Sequence, residues 1–380
     1  MQVAPWLVIL GMAAAWPKPV AKGGLSEDEV APPADFAAKE PGRGRAAVTP
    51  QEIPARGWRD ILWRTRLETG RDKVQIVAAG VTFFTLLAMF PALGAFVSLY
   101  GLFADVGEVE KQLYQLSNIL PPGAVDLIGA QMLRLALSHG ATLSVAFATG
   151  LVLSIWSANA AMRALFDGLN VAYDETEKRN WLKRTVITFG FTAGAVVFLA
   201  LVTAILVGIP ATMSRFGYTP MENVWLAVRW VVLMVIASLS FSVLYRFGPS
   251  RAQARWRWLT WGSLLAAIAW LLGSLAFSAY VNNIANFDRT YGPLGAVIGF
   301  MLWIWLSILI ILLGAELNSE IEHQTAVDTT TGAPEPMGMR GAVMADTVGL
   351  AFNGINVAKL RSRAKQMWSS VRGERADEPR

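Results

Sequence analysis

Residues 286–322 read NFDRTYGPLGAVIGFMLWIWLSILIILLGAELNSEIE: Asp288, Arg289 and a Tyr291-Gly292-Pro293 turn precede an apolar run, and the carboxylate of Glu316 stands at its close. A helix rises about 1.5 Å per residue and a bilayer's hydrocarbon core is about 30 Å thick, so roughly 20 apolar residues are needed to cross. The run 294–317 meets that length and lacks the alternation of a barrel strand. It reads as a transmembrane helix, because each unpaired backbone group in lipid would cost several kcal/mol. Five further runs, 76–103, 141–166, 185–209, 224–247 and 259–281, have the same character. The expected fold is all-α, a polytopic membrane bundle of six transmembrane helices.

Composition agrees. Of 380 residues 54% are hydrophobic and 16% charged, more apolar than an ordinary soluble domain. The absence of cysteine excludes disulfides, thiolate metal sites and a cysteine nucleophile. Two histidines, His139 and His323, leave little material for a zinc site or a proton relay. No enzyme activity, catalytic residue, metal or cofactor is therefore expected. The net charge of +5 does not point to nucleic acid, because the bases fall beside the apolar runs.

Their placement sets an orientation. Arg56, Arg59, Arg64, Arg66, Arg71 and Lys73 precede the first run, Lys178, Arg179, Lys183 and Arg184 follow the second, and Arg246, Arg251, Arg255 and Arg257 follow the fourth. The intervening loops hold only Lys111 and Arg134, then Arg215, then Arg289. Lys and Arg accumulate on the cytoplasmic side, so both termini are expected there. Asp288 and Arg289 then lie on the outer side and Glu316 near the inner one.

In the first outer loop, Leu113, Leu116 and Leu120, then Val125, Ile128, Met132 and Leu135, recur at helical spacing around Pro121-Pro122. This reads as two amphipathic helices in the outer leaflet, or as a small packed cap. Residues 1–57 are expected to be a disordered extension, and the short apolar stretch 3–16 lacks the basic start of a signal peptide. Residues 58–322 form the expected transmembrane domain and 323–380 a cytoplasmic tail. That tail carries Lys359, Arg361, Arg363 and Lys365 among apolar residues, as a basic amphipathic helix or a solvated tail would.

Three motifs in order, AAGVTFFTLLAMFPAL from Ala78, WSANAAMRALFDGLNVAYDE from Trp156 and YGPLGAVIGFMLWIWLSILIILLGAELNSEIE from Tyr291, make residues 58–322 resemble the YihY/virulence factor BrkB family of bacterial inner-membrane proteins. The resemblance implies six spans, an inner-membrane location and a link to serum resistance or to envelope lipid transport. It also brings an older label, ribonuclease BN, which the scattered acids of this chain do not support. The chain departs from the family in having Gly168-Leu169-Asn170 where Ala-Leu-Asn is common, and both tails fall outside the match.

Charged groups within spans need a reason, at roughly 2.5–3.5 kcal/mol each at a helix centre. Asn159 and Arg163 share one helical face, and they serve either helix packing and topology or an anionic headgroup. Arg229 poses the same choice. Glu316 and Asn318 follow Gly314, and Glu316 is expected either to pair with Arg163 or to sit in interfacial water. Asp288, Tyr291, Gly292 and Pro293 read as a turn that starts the last helix. Gly295 and Gly299 form a GxxxG that permits close helix approach, and Pro91 predicts a kink in the first span. The function expected is transport, or assistance to transport, of an amphipathic envelope component such as phospholipid. The alternative is a non-transporting scaffold of an envelope assembly. Membrane lipids are the expected partners, with an envelope protein or a second copy of the chain left open.

Overall fold

The computed structural model describes residues 37–103, 140–205, 222–283 and 292–352. Among the described residues, a helix lies on every apolar run: α1 (Ala55–Arg71), α2 (Val74–Phe103), α3 (Gly140–Ala172), α4 (Trp181–Thr203), α5 (Glu222–Phe247), α6 (Trp256–Asn283) and α7 (Gly295–Glu322), with a short α8 (Val343–Asp346). Among the described residues there is no strand, only an isolated bridge between Ala254 and Thr330. Helices α4 to α7 are each long and apolar enough to cross a membrane. A fifth candidate is the pair formed by α1 and the start of α2, bent by 58°.

The bend falls at Asp72 and Lys73, where Lys73 takes a left-handed φ of 51°. Helix α2 itself continues through Pro91. Helix α4 begins at Asn180, whose side chain accepts from the Lys183 amide at 2.8 Å and so satisfies one of the unpaired donors of the first turn. Helix α5 stops before Gly248, where a Cβ would stand 2.5 Å from the Leu169 side chain and 2.6 Å from the Leu244 carbonyl.

Phe166 and Leu169 of α3, Phe241 and Tyr245 of α5, Ala267 of α6 and Leu312 of α7 meet in one apolar core with the start of α2. The outward faces remain apolar: Trp156, Val186, Leu239 and Leu272 are all about 60% exposed. Large apolar side chains turned outward along several helices suit lipid contact, since soluble surfaces rarely hold so continuous an apolar belt.

At one end of the bundle four segments interlock. The Lys178 amide donates to Ser250 Oγ at 2.9 Å and the Ser250 amide to Asn170 Oδ1 at 2.7 Å, joining the α3–α4 and α5–α6 connections. The Arg255 amide donates to the Thr329 carbonyl at 2.9 Å and the Val343 amide to Glu175 at 2.8 Å, drawing in the segment after α7. Arg45, 2% exposed, donates to the carbonyls of Gln324 (3.1 Å) and Gly349 (2.7 Å) and pairs with Glu40. Residues 40–54, within the stretch expected to be disordered, thus contribute buried Arg45, Ala47, Pro50 and Ile53. The remainder of that extension (1–36), the first outer loop (104–139) and the end of the tail (353–380) lie outside the described residues, so the amphipathic helices expected in 104–139 and in the tail do as well.

Candidate functional site

Two polar patches stand on the apolar scaffold. The first joins α3 to α4. Asn159, 1% exposed, donates to Thr188 Oγ1 at 2.9 Å, and Arg163 Nε donates back to Asn159 Oδ1 at 2.8 Å. The second guanidinium nitrogen of Arg163 reaches Thr185 Oγ1 at 3.5 Å, and its plane lies 5.9 Å from the Trp156 ring. A turn further on, Arg184 pairs with Asp167 at 2.7 Å. Residues four apart project from one helical face, which is why Asn159 can grip Arg163. The result is a half-buried guanidinium fixed in place beside an exposed indole.

The second patch lies at the interlocked end. Glu316 and Asn318 are each 1% exposed. Asn318 Oδ1 accepts from the Gly262 amide at 3.0 Å, and a Cβ on Gly262 would stand 2.7 Å from Asn318 Nδ2, so α6 and α7 touch there only because residue 262 is glycine. The charged groups that act on Glu316 are carboxylates, Asp72, Glu320 and Glu68, and its Oε1 has no hydrogen-bond partner among the described residues. The expected Arg163–Glu316 pair is therefore not formed. Asn159 and Thr185 hold the guanidinium locally, while the bend after α1 delivers a second carboxyl to Glu316.

Further charges gather around this patch. Glu320 is bound by Arg64 Nε, whose other nitrogens donate to the Glu320 carbonyl (3.1 Å), Gln324 Oε1 (2.8 Å) and the Leu350 carbonyl (2.9 Å). Arg251 pairs with Glu322 at 2.5 Å and lies 5.1 Å over the Tyr173 ring. Burial pushes the Tyr173 hydroxyl well above its ordinary value, with Glu322 and Glu316 adding to it and Arg251 opposing, so it stays protonated. Arg43 donates to both Asp60 oxygens at 2.7 Å. Sequence reasoning missed these pairs. A usable signal was present: Glu316, Glu320 and Glu322 crowd one helix end, and Asp60 and Arg64 share a face of α1.

The other expected residues are dispersed. Arg229 of α5 lies 5.3 Å from the Trp230 ring, and its buried Nε finds no partner among the described residues. Gly292 has a left-handed φ of 56° and opens the short 3-10 turn Gly292–Leu294. Gly295 is buried at the first position of α7, with Gly299 a turn later half-buried. Asp288 and Tyr291 lie outside the described residues, and for Pro293 the backbone alone is described. Among the described residues no group of three or more His, Asp or Glu side chains could hold a metal ion.

A family model described as virulence factor BrkB matches residues 66–338. The chain belongs to that family. Among its relatives, the ribonuclease-like protein YfkH of Bacillus subtilis (strain 168) is 31% identical over 268 residues, covering 69% of this chain and 93% of the relative. The UPF0761 membrane protein IL2447 of Idiomarina loihiensis is 25% identical over 260 residues, covering 66% and 87%. A UPF0761 membrane protein of Vibrio atlanticus is 26% identical over 270 residues, covering 67% and 79%. No solved structure matches the chain. As a BrkB-family member with several apolar helices, it is an integral, multi-pass membrane protein.

Proposed function

We propose that the chain is a six-span protein of the bacterial inner membrane, with both termini cytoplasmic, that moves or helps to move an amphipathic envelope component such as a phospholipid. The orientation draws support from the interlocked end. There the segment before α2, the α3–α4 and α5–α6 connections and the segment after α7 meet, and three of these four are the basic segments of the sequence.

The transport reading rests on the α3–α4 patch. A guanidinium pre-set by Asn159 and Thr185 offers donors to a phosphate, and the exposed apolar faces of Trp156, Val186 and Leu182 lie within the same helix pair to accompany acyl chains. Neither Arg163 nor Glu316 needs a catalytic role for this.

The test is reconstitution into vesicles with a fluorescent phospholipid. Wild type accelerates lipid movement, and Arg163→Ala and Glu316→Gln each reduce it at equal protein content. No movement by the wild type, with a stable co-purifying envelope protein, would instead establish the scaffold reading. RNA cleavage by highly purified protein, abolished by substitution of an intramembrane acid, would overturn both.

A further inference from the structure

We propose that the outward face of α1 is a docking surface for anionic phospholipid, on which Arg56, Arg59 and Arg66 bind headgroups and so hold the interlocked end against the bilayer. Which leaflet this is rests on the orientation proposed above; the contact itself does not.

Helix α1 is built inside out for a soluble helix. Its inward face buries Asp60 and Arg64 beside Gly57 and Ile61, and each charge has its partner there, Arg43 for Asp60 and Glu320 for Arg64. The opposite arc, at steps of three and four residues, carries Arg56, Arg59, Leu62, Arg66 and Leu67, all exposed. Leu62 is 58% and Leu67 45% exposed, and no acid interrupts the arc. The helix's own acids, Asp60 and Glu68, are taken by Arg43 and Arg71, and among the described residues no ion pair reaches Arg56, Arg59 or Arg66. Three unneutralised cations remain, interleaved with leucines.

That mixture suits a headgroup layer, where guanidiniums meet phosphates while leucines enter the acyl boundary beneath them. Position agrees with it. The arc lies just before α2, which turns away by 58° and soon exposes Ile76 (68%) and Phe83 (57%) at the start of the apolar belt. The remainder of the chain is the rival occupant, since Phe352 packs 5.5 Å from the Trp63 ring and 4.9 Å from the Arg59 guanidinium. Charge decides against it. Residues 353–380 begin at this face carrying Lys359, Arg361, Arg363 and Lys365, so covering the arc with them would bring cations onto cations. An anionic leaflet neutralises both.

Because the chain has no cysteine, Leu62→Cys gives a single site for a fluorophore on the full chain. The labelled protein is placed in vesicles of phosphatidylcholine, with or without phosphatidylglycerol in both leaflets, and probed with brominated lipid and with acrylamide in the water. With phosphatidylglycerol, lipid quenching should be severalfold stronger than without it, acrylamide quenching weaker, and high salt should reverse both changes. Replacing Arg56, Arg59 and Arg66 together by Gln, at unchanged melting temperature, should abolish the dependence on phosphatidylglycerol. Acrylamide access that is equal in both vesicles overturns the proposal. So does a label hidden from both quenchers, which would mean that protein covers the face, and so does lipid quenching indifferent to phosphatidylglycerol or to the three arginines. The readout needs no lipid movement and the two leaflets are alike, so failure of the transport reading or of the orientation leaves this result unaffected.

Discussion

Arg64, a residue that hydropathy would not pick out, joins four acceptors at one end of the bundle. It is 5% exposed and spends its donors on Glu320, Gln324 and the Leu350 carbonyl. Deleting it leaves Glu320 buried with His323 as its remaining partner, at 3.6 Å. Arg64→Ala should therefore lower unfolding stability by about 3–5 kcal/mol, measured by thermal unfolding in detergent. Arg64→Lys should recover little, because the three donors of a compact ammonium cannot reach the four acceptors that the planar fork spans. In the sequence this residue is one arginine of a basic cluster, and its role is hidden because Glu320 lies 256 positions away. Glu316 was legible for the opposite reason, since a carboxylate at the end of an apolar run stands out in its own neighbourhood.

Helix contacts depend on a few small residues. A Cβ on Gly314 would stand 2.6 Å from the Ala266 Cβ and against the Tyr245 hydroxyl, which donates to the Ile311 carbonyl at 2.8 Å. Gly314→Ala should cost about 1–3 kcal/mol by overpacking, whereas Gly190→Ala on α4, with nothing within 4 Å, should be close to neutral in the same melting experiment. The connection between α3 and α4 carries a pH dependence of its own. Burial favours the neutral form of Glu177, but hydrogen bonds and charge from Arg179 outweigh it and hold the carboxyl at about 2, against an ordinary 4.5. A depressed carboxyl stabilises fully above its ordinary value, and that contribution is lost as pH falls through about 2. Arg179 also donates to the Gly248 carbonyl at 2.7 Å, so this pair ties the connection to the end of α5. Hydrogen exchange, corrected for intrinsic rates, should show protection of 173–180 surviving moderate acid and failing towards pH 2, with no such step in Glu177→Gln. Helix positions were readable because span length and apolarity are local properties. The end of α7 was not: it runs beyond the apolar run to Glu322, since distant arginines satisfy its acids.

For the molecule as a whole, the alternation of basic and base-poor loops carries the orientation, and the chain's lack of cysteine makes it easy to test. Single cysteines at Arg56 or Gln253 should react with an impermeant maleimide only after permeabilisation. Cysteines at Arg215 or Arg289 should react in intact cells, and the reverse pattern would invert the topology. What the sequence could not convey is that the segments flanking the helices form a structure. Residues 40–54 and 323–352 look polar and irregular because their order comes from pairing with each other, as when the Ala326 amide donates to the Arg45 carbonyl at 2.8 Å.

That pairing fixes a schedule for biogenesis. Arg45 and Arg64 emerge early in synthesis, yet acceptors they hold in the fold, from Glu320 to Leu350, emerge only with the end of the last helix and the segment after it. Until then the early segment has only its local partners, Asp60 for Arg43 and Glu40 for Arg45. A last helix inserted in the wrong sense would carry those acceptors to the far side of the bilayer and leave the buried Arg45 and Arg64 without them.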